Sequence, residues 1–228
     1  MRPHARQTSG SAAAASGLLT LLGCFAVTAR AWAAPLTVAV LLPDGHPLSG
    51  VVVTVRPTNG AARPAPPVQT IMDQVDRAFV PDLLVVPAGS TVAFPNSDSV
   101  SHQIYSFSPA KRFQLPLYRG KPYPPVLFDQ AGVVTLGCNI HDSMLAYVVV
   151  TDAPFFGRTN TIGSWTADVP EGGYQVKIWH PRIRDDDPRV LQGEITVGGT
   201  DGSTLTLHLT KQLKPAPLES RPHSWDAY

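Results

Sequence analysis

The chain has 228 residues, enough for one large or two small domains, with 18 Lys+Arg against 17 Asp+Glu. A balance this close to neutral excludes the basic surface that nucleic-acid binding requires. The 23 Pro and 18 Gly exclude a fold of long helices, because both residues disfavour helix interiors.

Residues 1–33 carry the marks of an export signal. Arg2 and Arg6 give a positive start, 17–27 are apolar, and Ala31-Trp32-Ala33 forms a small-x-small cleavage site. The apolar run is too short to span a bilayer, and no later stretch approaches that length. Leu21-Leu22-Gly23-Cys24 also resembles a lipoprotein cleavage box, the alternative in which a lipid anchor sits on Cys24. Either route predicts a periplasmic or otherwise exported protein. Cleavage after Ala33 removes Arg2, Arg6 and Arg30 and no acid, leaving 15 basic against 17 acidic residues. It also removes Cys24, so Cys138 remains as a single thiol that cannot form an internal disulfide. A free thiol is an oxidation liability outside the cytoplasm, and a bound metal is an economical reason to keep one.

Beyond the leader the pattern is all-β. Strand-like runs at 36–42, 51–55, 83–86, 91–94, 103–107, 133–136, 145–150, 174–179 and 204–209 are separated by turn residues. No stretch sustains a helical apolar period for three turns. Pro-rich passages mark a boundary at 63–67 and the start of a polar C-terminal tail, 212–228, expected to be disordered. A third, 116–125, is expected to be a long surface loop.

The most informative stretch is 137–144, where Cys138, His141 and Met144 stand at the spacing Cys-x-x-His-x-x-Met between two strand-like runs. Soft sulfur plus imidazole suits copper, and two His with one Cys and a weak axial Met is the blue-copper ligand set. A fourth ligand is expected from an earlier strand, and His102 is the candidate. Cys138 shares strand parity with Val134 and Leu136, so if those point inward the sulfur does too. His46, His180 and His208 form no second ligand cluster. No metalloprotease, nucleophile-elbow, phosphate-loop or paired-carboxylate motif occurs.

Residues 67–152 resemble the cupredoxins. The likeness lies in 85–96 (Val-Val-Pro-Ala-Gly-Ser-Thr-Val-Ala-Phe-Pro-Asn), His102 and the 138–144 loop, whose spacing is that of amicyanin. It is stronger still to bacterial methylamine utilization protein-like cupredoxins, which share the phrases around Phe94-Pro95-Asn96, Tyr105–Phe113 and Gly137–Met144. The resemblance implies a Greek-key β-sandwich holding one mononuclear copper through His102, Cys138, His141 and Met144. His102 would be the buried ligand, braced through its other ring nitrogen. His141 would reach solvent and pass the electron, and Met144 would be the weak axial ligand. Two departures stand out. Asp142 occupies a place often held by Pro, and Gln103 stands where Asn often braces the ligand loops, so Asn96 or Ser101 is expected to take over that work.

The flanks resemble another family. The Asp44-Gly45 turn between 36–42 and 51–55, together with 166–179 and 191–209, is similar to carboxypeptidase-regulatory or transthyretin-like sandwiches. The expected organisation is a cupredoxin domain, 67–152, inserted into a split sandwich, 34–66 plus 153–211. Two β pieces in series, or one larger sandwich, remain alternatives. The expected function is a blue-copper carrier of single electrons, not an enzyme, with an unidentified cytochrome, oxidase or dehydrogenase as redox partner. Copper delivery or storage with the same ligands is the alternative. A third possibility is an assembly module with a structural metal.

Overall fold

Alternation of buried and exposed residues governs the chain from its first described strand. In the computed structural model β1 (Ala33–Leu41) buries Ala34, Leu36, Val38 and Val40 and turns the residues between them outward. The structure describes residues 33–60, 63–120, 123–199 and 201–216. The expected export signal, 1–33, apart from Ala33, the alternative anchor position Cys24 and residues 217–228 of the tail lie outside the described residues.

After β1 come β2 (Val52–Pro57), β3 (Gln69–Ile71), β4 (Asp73–Val75), β5 (Ala78–Val80), β6 (Leu83–Pro87), β7 (Ser90–Ala93), β8 (His102–Ser108) and β9 (Lys111–Tyr118). Then follow β10 (Val126–Phe128), β11 (Gly132–Gly137), β12 (Leu145–Thr151), β13 (Phe155–Arg158), β14 (Ser164–Pro170) and β15 (Gly172–Trp179). A single helical turn, α1 (Pro188–Leu191), precedes β16 (Gln192–Val197) and β17 (Ser203–His208). Among the described residues no helix is long and apolar enough to cross a membrane. The fold is an all-β sandwich, as the sequence pattern leads one to expect.

The first two and the last five strands build one pair of sheets, ordered β14-β1-β17 and β13-β2-β15-β16. Leu36, Val38, Val53, Val55, Tyr174, Val176 and Leu207 fill the space between them. The intervening strands build a second pair, β10-β7-β3 and β6-β12-β11-β8-β9, with β4 and β5 as a separate hairpin. Its core holds Met72, Val92, Phe94, Ile104, Phe128, Val134, Leu136, Ala146 and Val148, together with Cys138 and Met144. Each fully buried Val, Leu, Ile, Phe or Met contributes roughly 1.5–3 kcal/mol of transfer free energy. The two cores meet through a third cluster, in which Val52 and Trp179 from the flanking strands pack on Leu83, Val85, Val133, Tyr147 and Val149. Trp179 meets Tyr147 edge to face at 5.3 Å, and Arg158 donates to the Leu83 carbonyl at 3.3 Å.

Two expectations need correction. The segment expected to be a surface loop from Pro116 begins as strand, since β9 runs through Tyr118. Proline is tolerated because β9 is an edge strand and carries an irregularity: Ile104 pairs with Leu115 but His102 pairs with Tyr118, so β9 holds an extra residue opposite the start of β8. The C-terminal tail leaves the sandwich later than residue 212. Leu213 packs on the flanking core, and the Lys214 N–H donates to the Arg182 carbonyl at 2.8 Å.

Candidate metal centre

Strand parity decides which way the candidate ligands face. Along β11, Val134 and Leu136 are fully buried, and Cys138, one step past the strand end, follows them inward at 2 % exposure. His102 opens β8 in phase with the buried Ile104 and Ser106 and is itself 0 % exposed. The β9 irregularity lies directly opposite it, where bulges commonly re-aim a side chain. His141 and Met144 sit at the ends of a tight turn closed by the Met144 N–H donating to the His141 carbonyl at 2.9 Å. Met144 is buried in the same core as Cys138, His141 is half-buried, and Asp142 between them is exposed.

The structure brings three of the four candidates together. Ligand atoms of His102, Cys138 and His141 all lie within 4.8 Å of one another. The Cys138 Sγ is 4.0 Å from the His102 Nδ1, and the two Nδ1 atoms are 3.2 Å apart. Atoms bound to one ion at about 2.0 Å for nitrogen and about 2.3 Å for sulfur fall at separations of this order. Met144 shares the cluster's core and is tied to His141 through the backbone.

The state of the His102 ring follows from its other nitrogen. Nε2 lies 2.6 Å from the Asp98 Oδ2, an acceptor, so Nε2 is the donor there and Nδ1 is the nitrogen turned toward the other candidates. That nitrogen faces a second imidazole nitrogen and a thiol inside a buried pocket. Such a grouping is satisfied by a shared proton or by a cation, and two imidazoles with a thiol suit a soft or borderline metal. The carboxylate–histidine pair is the arrangement that orients metal-ligating imidazoles and raises their basicity.

Asp98 is therefore part of the site, although sequence reasoning did not single it out. It stands four residues before His102, inside the Asn-Ser-Asp segment ahead of β8, and that spacing was the available signal. Burial pushes its carboxyl up, but hydrogen bonds from the Arg77 N–H, His102 and the Asp76 N–H outweigh burial and hold it below the ordinary carboxylate value. Asn96 supplies the bracing expected of it or of Ser101. Its buried amide donates to the Val100 and Tyr118 carbonyls at 3.0 and 2.9 Å, and its oxygen accepts from the Asp98 N–H at 3.0 Å. Burial lowers His141 from its ordinary value, reinforced by His102 and the Arg77 charge and opposed by Asp98. That shift favours the neutral ring, the form that binds a metal.

Two further neighbours escaped the sequence. Tyr118, cross-strand from His102, is buried and donates to the Phe94 carbonyl at 2.6 Å while accepting from the buried Gln74 amide at 2.5 Å. Gly137 pairs with Tyr105, whose ring crosses its backbone: a Cβ there would meet the ring 2.8 Å away. The residue before Cys138 is thus kept small by an aromatic on the next strand.

No protein-family model matches the chain, and no curated protein matches it at a significant level. Among solved structures, part of the chain is similar to the copper-containing nitrite reductase of Thermus scotoductus SA-01, with 24 % identity over 42 % of this chain and a TM-score of 0.35. The match spans 25 % of the reductase chain. A purple cupredoxin from Nitrosopumilus maritimus is similar at 27 % identity over 37 % of this chain and 99 % of its own, with a TM-score of 0.32. A reduced amicyanin variant gives 22 % identity, 36 % and 82 % coverage, and a TM-score of 0.33.

Proposed function

We propose that this protein is an exported mononuclear blue-copper protein that carries single electrons between redox partners. The observation that carries the proposal is the convergence of the His102 Nδ1, the Cys138 Sγ and the His141 Nδ1, with Asp98 holding the far side of the buried ring. Copper, when bound, would supply one-electron chemistry through its Cu(II) and Cu(I) states. His102, Cys138 and His141 would hold it, with Met144, from the same turn as His141, as the fourth ligand. The cupredoxin-like motifs in 85–144 support this ligand set.

The chain's own contribution is rigidity and insulation. His102 is fixed from strand, loop and carboxylate sides, and Cys138 is held by β11, so little rearranges when the charge of the centre changes. His102, Cys138 and Met144 are buried while His141 is half-exposed. That leaves one imidazole edge as the route for an electron, which supports a carrier. In this proposal a cupredoxin domain, 67–152, is set into a split flanking sandwich, 34–66 plus 153–211. The leader supports a periplasmic location.

The test is a visible and EPR spectrum of the copper-loaded protein. Strong red absorption from a thiolate-to-copper transition is expected, and Cys138→Ser should abolish it. A colourless copper adduct of the wild type would refute the proposal. Ready transfer of the metal to an apoprotein acceptor, without fast reversible redox, would instead favour copper delivery.

A further inference from the structure

The hairpin β4–β5 lies more than twenty positions ahead of His102 in the chain, yet its turn reaches the carboxylate behind that ring. The two turn residues, Asp76 and Arg77, both have positive φ, 51° and 58°, and the flanking Val75 pairs with Ala78. This is the signature of a type I′ turn, which Gly-containing pairs enter at least cost. Two residues with side chains hold it here, and backbone strain persists only where the surroundings over-determine it.

The surroundings are specific. The Asp76 N–H donates to the Asp98 Oδ1 at 2.6 Å, and the Arg77 N–H donates to the Asp98 Oδ2 at 2.9 Å. The same Oδ2 accepts from the His102 Nε2. One leg of the hairpin is sewn to the same loop: the Asp73 carboxylate accepts from the Ser97 Oγ at 2.7 Å and its N–H at 3.2 Å, and that N–H also points to the Gln74 carbonyl at 3.0 Å. Asn96 fixes the same loop through its side chain. The carboxylate is gripped at both oxygens, and its remaining bond sets the plane of the buried imidazole.

We propose that the β4–β5 hairpin is a clamp for the metal centre, in which the backbone N–H groups of Asp76 and Arg77 position Asp98 and, through it, His102. Asp76 and Arg77 are positioning residues that touch no ligand themselves. The two amides also share the carboxylate's charge, which limits how much of it reaches the ring and so helps set the reduction potential. The inference rests on the copper reading for its effect on potential, but not for the clamp itself.

The clamp is tested first in the metal-free full chain by amide hydrogen exchange. The Asp76 and Arg77 amides should exchange roughly tenfold or more slowly in the wild type than in Asp98→Ala, the factor a charge-assisted bond confers. The second test inserts one Gly between Asp76 and Arg77, which lengthens the turn and moves both amides off the carboxylate. The His102 Nε2–H resonance of the metal-free protein should then be lost to exchange. The copper-loaded insertion variant should bind Cu(I) roughly tenfold more weakly, with a shifted potential. The conservative pair Asp76→Asn with Arg77→Gly keeps both amides in a type I′ turn and should retain the Nε2–H resonance. Unprotected turn amides in the wild type, or an insertion variant that keeps both the resonance and the potential, would overturn the clamp. If the insertion variant does not fold, the exchange comparison decides alone. A wild type without red absorption but with protected amides would sink the copper reading and leave the clamp standing.

Discussion

Removing the Asp98 carboxylate is the sharpest perturbation of the site that leaves every proposed ligand in place. In Asp98→Ala three donors lose their acceptor: the His102 Nε2 and the Asp76 and Arg77 amides. The cost is not three equal parts. Asp76 and Arg77 are exposed residues, so water can replace the carboxylate at their amides. The His102 side chain is 0 % exposed, and its Nε2–H is left buried and unsatisfied. One such group costs about 1–3 kcal/mol, and that is the stability loss expected for the metal-free protein by chemical denaturation. With the ring free to turn or change tautomer, copper affinity should fall about 10–100-fold, the range for loss of an outer-shell partner. Competitive titration against a Cu(I) chelator measures it. Asp98→Asn keeps an acceptor oxygen and should lose less on both counts. If Asp98→Ala matched the wild type in stability and affinity, the inference that this carboxylate fixes the ring would be wrong.

The other predictions probe different parts of the molecule. Met144→Leu nearly conserves volume at a fully buried position, so it should cost less than about 1.5 kcal/mol yet shift the reduction potential if the thioether is the axial ligand; an unchanged potential would make Met144 core filler. Burial, partly offset by the Gln74 hydrogen bond, pushes Tyr118 up to about 12. Its folded value exceeds its unfolded one, so the associated stability is present below about pH 10 and lost as pH rises towards 12, amounting to about 2–3 kcal/mol. Denaturation midpoints across that window should fall in the wild type and flatten in Tyr118→Phe. Trp179→Ala strips the half-buried ring that meets Tyr147 between the two sandwiches. It should destabilise the protein by about 3 kcal/mol while leaving the copper spectrum unchanged, and a changed spectrum would mean that the flanking sandwich shapes the site.

Local patterns in the chain were enough to read the all-β class and the inward aim of Cys138, whereas His102 was expected beside the 138–141 loop only because a blue-copper ligand set lacks its second imidazole without it. Period-two alternation is a property of consecutive residues: once Val134 and Leu136 face the core, Cys138 must follow. The spacing Cys-x-x-His-x-x-Met is likewise compact enough to fall within one turn. Asn96 was also legible as a brace, because it lies within a few residues of His102 along the chain.

What only the tertiary structure decided depends on pairings between distant segments. Nothing in the run 73–80 announces that its turn amides will close on Asp98, because a hairpin's neighbours are set by sheet order and not by its own sequence. The same holds for Tyr105 crossing Gly137, and for Tyr118 becoming a buried neighbour of His102 when the Pro-rich pattern of 116–125 suggested a loop. Edge position and a one-residue irregularity made Pro116 compatible with a strand, and both are properties of the assembled sheet. Side-chain identity thus set which atoms could bind a metal, while long-range strand register set which backbone groups hold those atoms still.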